Sequence, residues 1–155
     1  MRVVLDTNVL VRATKNATGP ARELLGLLQA EEHVIVILRE ILVELVRVLD
    51  YPRLVAQHRL TPEERQEFAT SLDAAAEHVT LPSGTPAAVS SDPDDNFVVQ
   101  TGVAGHVDVI CTRDRHLLHL NVQAYCAGFG IRVLRDTDLL DELRQSAADD
   151  DAAGA

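Results

Sequence analysis

Aromatic side chains are nearly missing from this 155-residue chain, which has no Trp, two Tyr and three Phe. A base-stacking platform for single-stranded nucleic acid needs several aromatic faces, so that binding mode is excluded. The core has to be aliphatic, built from Leu, Val, Ile and Ala. Cysteine is as sparse: Cys111 and Cys126 lack the C-x-x-C spacing of a metal site, and a reduced, cytoplasmic protein is expected. Long apolar runs are also wanting. Val3-Val4-Leu5 follows Met1-Arg2 at once and is far too short for a signal-peptide core or a membrane span. Positive charge is the last shortage, with 14 basic against 24 acidic residues and a formal charge of −10. Nucleic-acid enzymes usually present a basic surface. Any phosphate binding by such a chain would have to come from bound cations and a local arginine patch.

What is present is an ordinary globular balance at about one domain's length. Val3-Val4-Leu5 and Val34-Ile35-Val36-Ile37-Leu38 read as strands buried on both faces of a parallel sheet. Residues 107–111 and 131–134 repeat the pattern, and His78–Leu81 is a short fifth candidate. Between them, Gly19–Gln29 and Ile41–Leu49 carry apolar residues at helical spacing, the second stopped by Pro52. Thr61-Pro62-Glu63-Glu64 is a helix start with Thr as cap and Pro in the first position, and the helix is expected to reach about Glu77. Residues 82–91 read as a loop. Asp92-Pro93-Asp94-Asp95 opens another helix, residues 114–118 form a short turn, and Asp136 or Thr137 caps a last helix to about Arg144. Alternating strands and helices predict an α/β sandwich around a parallel sheet. One domain spans residues 1–145, and 146–155 is expected to be a disordered acidic tail.

Sites in open parallel sheets form beyond the carboxyl ends of the strands. Asp6 ends the first strand, Asp114 lies just past the strand at 107–111, and Asp95 begins the helix feeding that strand. Glu44 sits in the apolar stretch Ile41-Leu42-Val43-Glu44-Leu45-Val46, where a carboxylate normally has a partner. Each acid has a bland reading beside the functional one. Asp6, Asp92 and Asp114 could cap the turns that follow them, Asp94 and Asp95 could stabilise a helix start, and Glu44 could pair with Arg47 or Arg39. Convergence is what separates the readings. Two bare carboxylates about 4 Å apart repel by roughly 4 kcal/mol at an effective dielectric near 20. Such a cluster needs protons or hard divalent cations with oxygen ligands to relieve it.

Leu5-Asp6-Thr7-Asn8-Val9, Leu42-Val43-Glu44-Leu45, Asp92-Pro93-Asp94-Asp95-Asn96 and Val109-Ile110-Cys111-Thr112-Arg113-Asp114 resemble the PIN domains in type and order, over residues 2–140. The chain is most similar to the branch of toxins from toxin–antitoxin systems related to the VapC ribonucleases. The resemblance implies a three-layer α/β/α sandwich around a central parallel sheet of four to five strands. It also implies an endoribonuclease in which Asp6, Glu44, Asp95 and Asp114 hold Mg²⁺ or Mn²⁺ and catalyse hydrolysis of RNA phosphodiesters. Asp95 is taken as the third acid, with Asp92 and Asp94 as the alternatives. Asn8, Thr112 and Asp92 are expected to orient the acids, and Arg113 and Arg115 are candidate phosphate contacts. RNA as substrate, a cognate antitoxin protein and a homodimer are the implied partners. Gln100-Thr101-Gly102 departs from the small apolar residues usual in relatives.

Other classes fit less well. Haloacid-dehalogenase phosphatases show Asp-x-Asp at the first strand end, where this chain has Asp6-Thr7-Asn8. Response-regulator receivers need a late lysine, and the only lysine is Lys15. A binding module or partner subunit that keeps the PIN fold with weak or no nuclease activity stays open as the alternative.

Overall fold

A computed structural model of the chain describes residues 1–30, 32–83, 85 and 93–154, the side chains of 93–95 and 150 excepted. The order of elements is β1 (Arg2–Leu5), α1 (Thr7–Leu10), α2 (Pro20–Ala30), β2 (Val34–Leu38), α3 (Arg39–Leu49), α4 (Pro52–His58), α5 (Pro62–Ala75), β3 (Glu77–Val79), α6 (Pro93–Ala104), β4 (Val109–Cys111), α7 (Leu120–Ala127), β5 (Arg132–Leu134) and α8 (Asp136–Gly154). All strands are parallel, in the order β3-β2-β1-β4-β5. Successive side chains of β1 (Val3, Val4, Leu5) and β4 (Val109, Ile110, Cys111) are all buried. Side chains alternate between the two faces of a strand, so helices must cover both. This is the α/β sandwich expected, with five strands.

Two glycines explain how closely one layer packs. A Cβ on Gly102 would stand 2.8 Å from Ile110 Cδ1, and one on Gly105 would stand 2.5 Å from Val36 Cγ1. Within the departure at Gln100-Thr101-Gly102, Gly102 reflects this close packing, since a side chain there would have to push the end of Ile110 aside. The end of α6 is tied to the start of β1, since Arg2 Nε donates to the Gly105 carbonyl at 3.0 Å. Its amino-terminal turn therefore points to the opposite, carboxyl edge of the sheet.

Helix starts read from sequence are realised where local chemistry decides them. Thr61 Oγ1 accepts from Glu64 N at 3.1 Å, and Glu64 returns a carboxylate to Thr61 N at 2.9 Å, a complete capping box with Pro62 in the first position. Replacing Thr61 by Ala should cost about 1 kcal/mol. At this chain length that lowers Tm by about 2–4 °C in calorimetry.

Pro52 both stops α3 and, as first residue, starts α4, a helix the sequence pattern does not reveal. Helix α7 is likewise unexpected, because its apolar residues are not confined to one stripe. Strands β4 and β5 are shorter than expected, at three residues each. The segment from residue 146, expected to be disordered, continues α8 as exposed helix to Gly154. Most of the expected loop at 82–91 lies outside the described residues, as does Asp92.

Candidate active site

The strand order reverses direction between β1 and β4, and a crevice opens at such a switch point beyond the carboxyl ends. Leu5 and Cys111 are register partners, and Asp6 N donates to the Cys111 carbonyl at 2.9 Å. Asp6 and Thr112 therefore stand side by side one residue past their strands. Thr112 is fully buried and its hydroxyl donates to Asp6 Oδ2 at 2.6 Å. The same oxygen receives Asn8 Nδ2 at 2.9 Å. Asp6 sits at the N-cap position of α1, yet its side chain makes no capping bond. The bland reading of this residue is set aside. Both donors to Oδ2 are neutral groups, so they orient the carboxylate without cancelling its charge.

The two orienting residues also hold the opposite lip. Thr112 Oγ1 accepts from Asp114 N at 2.9 Å, and Asn8 Oδ1 accepts from Arg113 N at 3.1 Å. Asp6 and the loop after β4 are thus one hydrogen-bonded unit, held through Asn8 and Thr112. Asp114 does serve its own turn, since its Oδ1 accepts from His116 N at 2.7 Å. Its side chain still keeps 35% of its surface exposed, enough to leave carboxylate lone pairs for a ligand.

Glu44 reaches this edge from α3, which packs on α1. Thr7 Oγ1 donates to Glu44 Oε2 at 2.6 Å, while Arg47 lies at 3.9 Å from the other oxygen. The short neutral contact outweighs the long ionic one as the positioning interaction. Thr7 was not among the residues picked from sequence, and nothing local marks it. Only the packing of α1 on α3 gives its hydroxyl a carboxylate to meet.

The backbone of Asp95 lies in the first turn of α6, at the same edge, while its side chain lies outside the described residues. Its neighbour Asn96 is buried, and Asn96 Oδ1 has no donor among the described residues. A family model of the PIN domain matches residues 2–116. The chain belongs to the PIN-domain family. PIN domains are generally nucleases, and this chain has their α/β fold. No curated protein matches it.

Within this PIN domain Arg113, a candidate phosphate contact, also has a structural partner. Arg113 Nε is ion-paired with Asp136 Oδ1 at 2.8 Å, and Asp136 is 1% exposed. Arg113 is spent on anchoring the loop after β4 to the start of α8, which leaves Arg115 as the freer cation. Asp136, expected at most to cap α8, is the buried anchor instead.

The donor chemistry, carboxylate oxygens oriented by hydroxyl and amide groups, is of the kind that suits a hard divalent cation. Among the described residues no three of His, Cys, Asp and Glu are close enough to hold one ion. Both cysteines are inert by comparison. Burial pushes the Cys126 thiol up to about 11, and burial together with the nearby Asp136 and Asp6 charges pushes Cys111 higher still. Among the described residues, no helix is long and apolar enough to cross a membrane.

Proposed function

We propose that this PIN domain is a Mg²⁺- or Mn²⁺-dependent endoribonuclease, the VapC-like toxin of a type II toxin–antitoxin pair. The observation that carries the nuclease reading is the Asp6–Thr112–Asp114 unit at the β1/β4 switch point, with Glu44 brought to the same edge by Thr7. Asp6, Glu44, Asp95 and Asp114 would hold the metal. When bound, such a metal activates water near neutrality and stabilises the leaving oxygen of a phosphodiester. Thr112 and Asn8 keep Asp6 Oδ2 aimed and fix the position of Asp114. Glu44, held by Thr7, would ligate the metal or take a proton from the water it activates. A cognate antitoxin, a homodimer and a cytoplasmic setting belong to the same reading and rest on the family alone.

The alternative is a PIN-fold binding or partner subunit. It is favoured by the lack of a three-residue metal group among the described side chains. Two measurements separate the readings. Purified protein with mixed unstructured RNA should cleave it in Mn²⁺ and not in EDTA. Mn²⁺ at a hundredfold over its Kd should also stabilise the fold by about 2.7 kcal/mol in thermal melts. Stabilisation without cleavage of any RNA would leave the binding subunit. Neither effect up to millimolar metal would sink the metal site itself.

A further inference from the structure

We infer that Arg39, Arg12, Arg115 and Arg135 form a phosphate-binding row for single-stranded RNA across the carboxyl edge of the sheet, a proposal that rests on the nuclease reading. The starting point is where this acidic chain leaves its cations unneutralised. Half of the 14 basic residues have an acidic partner: Arg2 has Glu77, Lys15 Glu64, Arg47 Glu44, Arg65 Asp50, Arg113 Asp136, Arg132 Glu142 and Arg144 Glu23. Among the described residues, no acid lies within ion-pair distance of Arg12, Arg22, Arg39, Arg53, Arg59, Arg115 or Arg135. Of these seven, Arg22 donates to the Ala13 carbonyl, Arg53 lies in α4 and Arg59 caps its end. The other four all follow a strand. Arg39 comes directly after β2, Arg12 just beyond the short helix after β1, Arg115 four residues past β4, and Arg135 directly after β5. All four are exposed.

The sheet order turns this into a line. Strands β2, β1, β4 and β5 are consecutive neighbours. At about 4.8 Å per strand their ends span roughly 14 Å. Asp6 and Asp114, after the two middle strands, fall inside the row. A polyanion laid across the strand ends would meet arginines on both sides of the acids, and guanidinium groups bind phosphate in bidentate fashion. The opposite edge differs: Arg2 and Arg132, at the amino ends of β1 and β5, are both neutralised by glutamates. This placement answers the −10 charge, since the free cations are concentrated where a phosphate chain would have to lie. With so few aromatic residues, recognition would run through the backbone and be tolerant of sequence.

The test is fluorescence anisotropy of a labelled unstructured RNA with the full chain in EDTA, across a salt series. Four phosphate contacts on a single strand predict a log K versus log salt slope of about −2.8, and each Arg→Ala change should shrink it by about 0.7. Arg→Lys should keep the slope, because the charge is kept. Arg132→Ala, which makes the same change in net charge at the other edge, should leave it unchanged. Equal losses from Arg132→Ala, or slopes indifferent to all four arginines, would overturn the row. So would an acidic peptide that binds the arginines as tightly as RNA, which would assign them to a protein partner. Cleavage in Mn²⁺ is followed in parallel. Arginine-dependent binding without cleavage defeats only the nuclease reading, whereas cleavage whose salt dependence ignores the arginines defeats only the row.

Discussion

Asp6→Asn should reduce Mn²⁺-dependent RNA cleavage at least about a hundredfold while leaving the protein folded. The substitution keeps size and shape. A single amide oxygen can still accept both the Thr112 hydroxyl and the Asn8 amide that now converge on Oδ2. Each bond to a neutral rather than charged acceptor weakens by about 1 kcal/mol. Relief of repulsion among neighbouring carboxylates works in the opposite direction. Melting in EDTA should therefore shift little. What disappears is the charge at the centre of the donor set, and with it the stabilisation by Mn²⁺. Cleavage at the wild-type rate by a folded Asp6→Asn protein would remove this residue, and the carboxylate mechanism built around it, from consideration.

The second large effect falls on a residue that carries no charge. Thr112→Val should lower activity or metal affinity by about 10–100-fold and destabilise the fold by about 1–3 kcal/mol. Valine fills the same volume at this fully buried position, so no cavity forms. It removes one hydroxyl with two duties, donating to Asp6 Oδ2 and accepting from Asp114 N. The Asp114 amide would then be left without its partner in a half-buried loop. Thr112→Ser, which keeps the hydroxyl and loses only a methyl, should recover most of the activity. If valine and serine behaved alike, Thr112 would act through packing and not as the bridge between the two acids. Denaturant melts and metal titrations of the three proteins distinguish these outcomes.

Much of this was legible along the chain because local chemistry decides it. The strands Val3–Leu5 and Val34–Leu38 are continuous runs of branched aliphatics, which only a sheet covered on both faces can bury. Thr61, Pro62 and Glu64 carry their own hydrogen-bond instructions, so the α5 start was readable to the residue. Helix α7 was not, because its apolar residues do not form a single stripe. The helical continuation from residue 146 was not either, because acidic, exposed helix and disorder have nearly the same composition.

The candidate site divides in the same way. Acids standing one or a few residues past a strand end are visible in sequence, since strand ends are visible, and Asp6 and Asp114 stand there. Their partners depend on strand order. Only the adjacency of β1 and β4, separated by about a hundred residues of chain, sets the Thr112 hydroxyl on Asp6. Only the packing of α1 on α3 gives Glu44 to Thr7, and only the approach of α8 to the loop after β4 takes Arg113 away to Asp136. By itself the sequence determined which residue types end each strand and hence where acids and arginines can stand. The tertiary structure decided which of them meet, because a hydrogen bond or ion pair is short-ranged and the order of strands in a sheet is a property of the whole fold.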